Sequence, residues 1–429
     1  GHEQLLQSME RAGIDLCLGN EYGNINGPWV EGTNRYDVPD EAVASAARSG
    51  RLIGLLYDEP AHLQINAAQY RKDGWYPHWG ATDGLGLEEA SRKVVEAARR
   101  RVEHVRALLA REGVDPESAP LVAEHVFPVM FHVHARAGMD PCPKVMKEEF
   151  QPLQLGTALG AAKEYGRGLW ICADLWGPDA GPWFTRISGF PGHSPEEFAS
   201  ALRMAYLMGP THLFVENVDA LVRFTGERFE RTAFGEVWEE FVRRWVPENP
   251  LTWSHLDARP DIAIVHSDDS NYGQNERLFG DRQSGPEKSQ SIFHVWHLIS
   301  HGTIPAHGSC MHIPGFDFPR HRLRKAVPVE EFPLASGCGP ELAGSMHPLF
   351  YPVNNALAFD EHVREEHLEG ARLIFLAGSR STDGAIAAAL AQAERGACVV
   401  AAEWLLPPSL RKTKRMGEGL WLVTQDFLA

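Results

Sequence analysis

Five short apolar runs in the first half of the chain each end in a carboxylate. Turn residues bound each run, and a helical pattern of apolar positions follows it, so the repeating unit is predicted to be a strand followed by a helix. The five runs are Leu52–Glu59, Leu121–Glu124, Pro143–Glu149, Leu169–Asp174 and His212–Glu216.

A sixth strand is predicted at Ile14–Asn20, ahead of these runs. Repeated βα units form TIM-type (β/α)8 barrels, in which the carboxyl ends of the strands meet at one mouth that carries the active site. The fold class is therefore predicted to be α/β, with a barrel whose mouth is ringed by carboxylates. Because eight strands close such a barrel, either two strands precede Gly1 or the barrel is incomplete. Any single acid is explained equally well as a helix N-cap or as the partner of a buried arginine, but this explains all five together less well.

The second half of the chain predicts a smaller domain. Val246–Arg259 is rich in Pro, Asn and Asp and is predicted to be a linker. Alternating strands and helices after it are typical of a doubly wound α/β sheet. We expect a barrel domain over residues 1–250 and a flavodoxin-like domain over residues 257–429. The predicted strands of the second domain are Asp261–His266, Ala371–Ala377, Ala397–Ala402 and Leu420–Thr424, and its helices are Gln290–Ser300 and Asp383–Arg395.

Charge and cysteine usage narrow the class of protein. The 41 Lys and Arg residues against 57 Asp and Glu residues give a formal charge of −16, which argues against a nucleic-acid partner or an anionic membrane surface. No apolar run reaches the length of a membrane-spanning helix. The six cysteines form no CxxC pair, which predicts a reducing, cytoplasmic compartment without disulfide bonds. The longest predicted helix, Leu87–Arg111, carries the run Arg99–Arg101, which we expect to face solvent.

A barrel with acids on its strand ends is followed by the strand DIAIVHS and by the later segments HLEGARLIFLAGS and ALAQAERGACVVAAE. This arrangement resembles the A4-type microbial β-galactosidases and their relatives. The resemblance implies a clan A glycoside hydrolase barrel and then a glutamine-amidotransferase-like domain. It also implies an acid/base at the end of strand four, which is Glu59, and a nucleophile at the end of strand seven, which is Asp174. The family usually has Asn-Glu and Glu at these places, whereas this chain has Asp58-Glu59 and Asp174, so Glu148 or Glu149 rivals Asp174 as the nucleophile.

Hydrolysis of a glycoside needs two carboxyl groups, one protonated as the acid and one ionised as nucleophile or base. The leading hypothesis is therefore a retaining, exo-acting glycosidase that takes terminal or short carbohydrates and uses no cofactor. Aromatic side chains in the predicted mouth loops are suited to stack on sugar rings, although about half of them are expected to be buried anchors. The proposed substrate-binding residues are Tyr22, Trp29, His62, Glu124, Trp176, Arg186, Glu216 and Asn217.

Two other hypotheses come from different classes of protein. One is a non-catalytic carbohydrate-binding or assembly protein on the same scaffold. The other is a metal-dependent hydrolase that uses His125, His132 and His134, but residues two apart on a helix do not share a face, which disfavours a metal pair. An amidotransferase needs a cysteine on a strand-to-helix turn, whereas Cys338 has no apolar strand before it and the strand end at Leu376–Ser379 carries a serine. The second domain is therefore expected to be non-catalytic and to serve in self-association or in walling the barrel mouth.

Overall fold

The computed structural model describes residues 2–19, 38–58, 85–125, 130–146, 151–175, 195–216, 218–268, 288, 291–300 and 356–429. By its internal contacts the chain divides into two units. The described part of the first unit runs to His125 and resumes over Met130–Cys142, and the second unit takes up the chain from Pro143. Among the described residues, no helix is both long enough and apolar enough to cross a lipid bilayer.

The first unit contains three parallel strands, with β1 paired to β2 and β2 paired to β3. Its elements in chain order are α1 (His2–Ala12), β1 (Leu16–Gly19), α2 (Asp40–Arg48), β2 (Leu52–Asp58), α3 (Leu87–Arg111), β3 (Leu121–His125) and α4 (Phe131–Ala137). These strands and helices alternate as the sequence predicts.

Helix α3 is amphipathic, and it buries one apolar face that includes Val94, Val102 and Val105. Arg101 interrupts the predicted solvent-facing run, because its side chain is buried and donates hydrogen bonds to the Tyr57 hydroxyl at 3.0 Å and to the Val38 carbonyl at 2.8 Å. The expectation that all three arginines face solvent is thus wrong for Arg101. A buried guanidinium requires such acceptors, and here they tie α3 to β2.

The division between the two units falls within β4 (Asp140–Val145). In the second unit β4 pairs with β5 (Trp170–Asp174), and β5 pairs with β6 (His212–Glu216), all parallel. Helices α5 (Gln151–Tyr165) and α6 (Pro195–Leu207) follow β4 and β5. All six strands predicted before the linker are therefore present, and their alternation with helices fits part of a (β/α) barrel.

A small hairpin and a helix follow β6. They comprise α7 (Val218–Leu221), β7 (Val222–Phe224), β8 (Phe229–Arg231) and α8 (Ala233–Glu240), and α8 continues through a π-helical turn at Phe241–Trp245. The predicted linker after them is packed rather than exposed at His255, whose ring lies 3.2 Å from the Gly209 carbonyl and 2.7 Å from the Arg167 carbonyl.

The rest of the second unit contains a six-stranded sheet in the order β10-β9-β11-β12-β14-β13. Its elements are β9 (Ile262–Val265), α9 (Ser291–Ile299), β10 (Ala356–Phe359), β11 (Leu373–Leu376), α10 (Asp383–Glu394), β12 (Cys398–Ala402), β13 (Lys414–Met416) and β14 (Gly419–Thr424). The pairs are parallel except for β13 with β14. The second strand of this part lies on the outside of the first, as in flavodoxin-like sheets. The kinship with amidotransferases stays a prediction.

Helix α5 packs against the edge strand β10, and two glycines allow the close approach. A Cβ added at Gly156 would lie 2.6 Å from the Ala356 carbonyl oxygen, and one at Gly160 would lie 1.8 Å from the Ala358 carbonyl oxygen. At the end of α5, the Tyr165 hydroxyl donates to Asp360 at 2.7 Å. An edge strand invites pairing with other chains, and here a helix covers it.

Candidate active site

Two carboxylates lie side by side at the carboxyl ends of neighbouring strands in the second unit. Asp174 ends β5, Glu216 ends β6, and the two residues are paired in the register of the parallel strands. Side chains of paired residues project to the same face of a sheet. The side chain of Asp174 is fully buried, whereas that of Glu216 is 30% exposed.

Lys144 joins these two carboxylates. Its Nζ lies 2.8 Å from Glu216 Oε2 and 3.8 Å from Asp174 Oδ2, and its side chain is only 1% exposed. On β4 it pairs with Cys172, which shares a strand face with Asp174, so all four side chains lie on one face. Buried charges are tolerated when they are paired, and this ammonium group supplies the counter-charge for a buried carboxylate.

Sequence reasoning missed Lys144. Its signal was present, because a lysine between Pro143 and Val145 interrupts an apolar run that proves to be fully buried. Lysine is almost never fully buried unless it is paired. A lysine inside a predicted buried strand therefore predicts a carboxylate partner on a neighbouring strand.

At the amino-terminal ends of β5 and β6, the same sheet face carries aromatic rings. Trp170 and His212 are paired in register at the start of β5 and β6, and their rings stack with centroids 3.9 Å apart. Burial lowers the pKa of His212 below its ordinary value, so the ring is neutral at pH 7. The polar groups of this face are thus concentrated at the strand ends, where the active sites of α/β barrels lie.

A second pair of acids ends two strands of the first unit. Asp58 on β2 is paired in register with Glu124 on β3, and Glu124 is only 2% exposed. Tyr57, the neighbour of Asp58, points the other way and accepts the hydrogen bond from Arg101 of α3. The helices cover the Tyr57 face, and Asp58 and Glu124 therefore share the opposite face.

Two of the predicted strands end earlier in the chain than the sequence predicts. β2 ends at Asp58, and Asp58 rather than Glu59 is the partner of Glu124. β4 ends at Val145, and Met146 has a left-handed backbone (φ 73°), so the expectation that a strand runs on to Glu149 is wrong. Of the proposed catalytic and binding residues, Asp174, Glu124 and Glu216 are described. Those outside the described residues are Tyr22, Trp29, Glu59, His62, Glu149, Trp176, Arg186 and Asn217.

The histidine cluster of the first unit forms a hydrogen bond between two rings. His125 Nε2 lies 3.0 Å from His134 Nδ1, and the rings are stacked at 4°. His132 lies two residues from His134 on α4, as the helical reading of this segment predicts. Burial lowers the pKa of His134 to about 3, so it is neutral at pH 7. Across the described ranges, no group of three metal-type ligands includes any of these histidines.

The strand-to-helix turn after β11 carries Ser379. Its hydroxyl lies 3.2 Å from the Ser267 hydroxyl, and its backbone N–H donates a hydrogen bond to Ser267 Oγ at 3.1 Å. The next residue, Arg380, donates from Nε to Glu361 at 2.9 Å. Burial, and then the charge of Asp268, raises the pKa of Glu361 to about 8 against the opposing effect of Arg380. These contacts bind the loops of the sheet to one another.

No protein-family model matches this sequence, and no curated protein matches it either. Three solved structures are similar to it in part. They are a β-galactosidase from Bacillus circulans sp. alkalophilus (TM-score 0.47, 10% identity), a β-galactosidase from Rahnella sp. R3 (0.46, 11%) and the exo-β-1,4-mannosidase Op5Man5 from Opitutaceae bacterium strain TAV5 (0.45, 13%).

These alignments cover 94%, 94% and 95% of this chain. The chain spans 63% of the length of each β-galactosidase and 67% of the length of the mannosidase. At TM-scores below 0.5 and identities near 10%, these likenesses establish neither a family nor an activity for this chain.

Proposed function

We propose that this protein is a glycoside hydrolase acting on terminal or short carbohydrates, with its chemistry at the strand ends of the barrel part. The observation that carries the proposal is the in-register pair Asp174 and Glu216, joined by the buried Lys144. Asp174 would supply one of the two carboxyl groups that hydrolysis of a glycosidic bond needs, and Glu216 lies beside it at the strand ends, where the active sites of such barrels lie.

Asp174 is assigned the role of nucleophile. A nucleophile in a retaining glycosidase must be ionised and held still, and Asp174 is fully buried with the Lys144 ammonium 3.8 Å away. Glu216 is assigned to substrate binding, since it is 30% exposed and takes the shorter contact with Lys144. Glu148 or Glu149 is the rival to Asp174 as the nucleophile, and the proton donor is assigned to Glu59.

The test is hydrolysis of a panel of nitrophenyl and alkyl glycosides by the protein and by single variants. Asp174→Asn should abolish turnover of both substrate types, because the covalent step is lost. Glu59→Gln should slow alkyl glycosides much more than nitrophenyl glycosides, because only poor leaving groups need protonation in the transition state. Glu248→Gln, a substitution at an exposed position, serves as the matched control and should change neither rate.

Azide distinguishes the two roles further. Added azide should restore turnover of a nitrophenyl glycoside by one of the two catalytic variants and yield a glycosyl azide whose anomeric configuration reports the opened face. A protein that hydrolyses no glycoside in the panel, yet binds sugars in calorimetry, would instead be the carbohydrate-binding protein of the second hypothesis. If Glu59→Gln leaves the rates on both substrate types unchanged, Glu149 becomes the preferred acid.

A further inference from the structure

The hairpin formed by β7 and β8 exposes two aromatic rings at its tip. Phe224 is 59% exposed and Phe229 is 72% exposed, and their ring centroids lie 5.2 Å apart. The two residues are directly paired in the hairpin, and the turn between them is closed by the Thr225 N–H bonding to the Arg228 carbonyl at 3.0 Å. Large exposed aromatic side chains in contact with one another are typical of an interaction site.

An apolar pocket of about 370 Å³ lies at the base of the same hairpin. Its volume is at the lower end of the range for sites that enclose a small molecule or a large side chain. Its apolar wall is formed by Val218, Leu221, Val222, Trp238 and Val242. Val218 and Val242 are 62% and 45% exposed, so this wall is open to solvent.

The aromatic tip and the pocket share one face of the hairpin. Val222 and Phe224 are two residues apart on β7, and Arg231 and Phe229 are two apart on β8, so all four side chains project to the same side. At a rise of about 3.4 Å per residue, the tip lies roughly 7 Å from the pocket wall. A surface that carries a projection beside a recess is self-complementary under a two-fold axis, because each copy inserts its tip while receiving that of the other.

The charges around the tip and the pocket are also complementary. Arg231 and Arg243 at the pocket rim both contact the single carboxylate of Glu239, which leaves the rim with an excess positive charge. The turn carries Glu227, which makes no ion pair with any described residue, whereas its neighbour Arg228 is paired to Glu230 at 2.7 Å. An acidic tip therefore faces a basic rim when two copies exchange hairpins.

We propose that this surface, made of the β7–β8 hairpin and the pocket beside it, binds a second copy of this chain in a reciprocal two-fold dimer. Phe224 and Phe229 of each copy fill the pocket of the other, and Glu227 contacts Arg243 across the interface. The dimer forms through the hairpin and not through residues 257–429, where the sequence predicts self-association. The inference does not depend on the proposed function.

A charge exchange tests the proposal, with light scattering after size exclusion as the readout. The unaltered protein should have twice the mass of one chain. Glu227→Arg alone and Arg243→Glu alone should each be monomeric, because each places like charges at both contacts. Mixing the two variants should restore a one-to-one dimer, since both contacts then join opposite charges. Carrying both substitutions on one chain should restore the dimer as well.

Glu103→Arg, an equally drastic change on the exposed side of α3, is the matched control and should leave the dimer intact. All these positions are exposed, so circular dichroism should show unaltered folding. A monomeric unaltered protein overturns the proposal. It is also overturned if either single variant keeps the mass of the unaltered protein, or if the mixture stays monomeric.

Discussion

The contact between α5 and β10 depends on Gly160 having no side chain. An ideal Cβ at this position lies 1.8 Å from the Ala358 carbonyl oxygen and 2.8 Å from the Ala358 carbonyl carbon, and Ala358 is fully buried. Carbon and carbonyl oxygen approach to about 3.3 Å at closest, so Gly160→Ala must separate helix and strand by roughly 1.5 Å. The Tyr165–Asp360 hydrogen bond and the bond from the Asp360 N–H to Glu164 at 3.0 Å oppose that movement.

The expected cost follows from two opposing effects. Overpacking a well-packed interface costs about 1–3 kcal/mol, and more where backbone must move. Alanine in place of glycine inside a helix returns about 1 kcal/mol. The clash here involves backbone on both sides, so we expect a net loss of about 1–2 kcal/mol, or several degrees in the melting temperature of the second unit. Gly156→Ala should cost less, because its nearest contacts are longer, at 2.6 and 2.9 Å.

Thermal unfolding followed by circular dichroism measures the change, and hydrogen exchange locates it. Amides of β10 should lose protection in Gly160→Ala before those of β12, because the edge strand is released first. Gly384→Ala is the matched control, since its Cβ would meet nothing closer than the Thr382 Oγ at 3.7 Å. If Gly160→Ala melts at the same temperature as Gly384→Ala, the packing of α5 on β10 is not as close as described.

Two further predictions concern buried charges. Lys144→Met should destabilise the protein by about 3 kcal/mol in chemical denaturation, because it removes the ammonium group that lies between the buried Asp174 and its neighbour Glu216. Adding Asp174→Asn should recover part of that loss, and an unaltered midpoint in Lys144→Met would contradict this account. The pKa of Glu361 is raised from 4.5 to about 8, so the native state holds a proton that the unfolded state releases, and this group makes stability fall as pH rises from about 4.5 to about 8. Glu361→Gln should flatten that slope in melting temperatures measured across the window, and an unchanged slope would exclude Glu361 as its source.

Whether a segment forms a helix or a strand could mostly be predicted from the local pattern of apolar and polar residues. α3 has the predicted bounds Leu87–Arg111, because a long amphipathic repeat with a glycine beyond its end is unambiguous in sequence. The strands β2, β5 and β6 also lie within the predicted runs. β7, β8, β10 and β13 were missed, and three of these four strands have only three residues, too few positions for a periodicity to appear.

The sequence by itself determined that carboxylates end successive strands, because strand ends and acids are both local features. It gave no means of pairing them, and it left Lys144 as an unremarked residue in an apolar run. Only the parallel register decided which acids are neighbours: Asp174 pairs with Glu216, and Asp58 rather than Glu59 pairs with Glu124. The register also places Lys144 on the same sheet face as Asp174 and Glu216. These register pairs join residues 28, 42 and 66 positions apart in the chain (172 − 144, 216 − 174 and 124 − 58), which no local pattern reports. Because the side-chain period of a strand is two, a shift of one residue would turn every side chain to the opposite face.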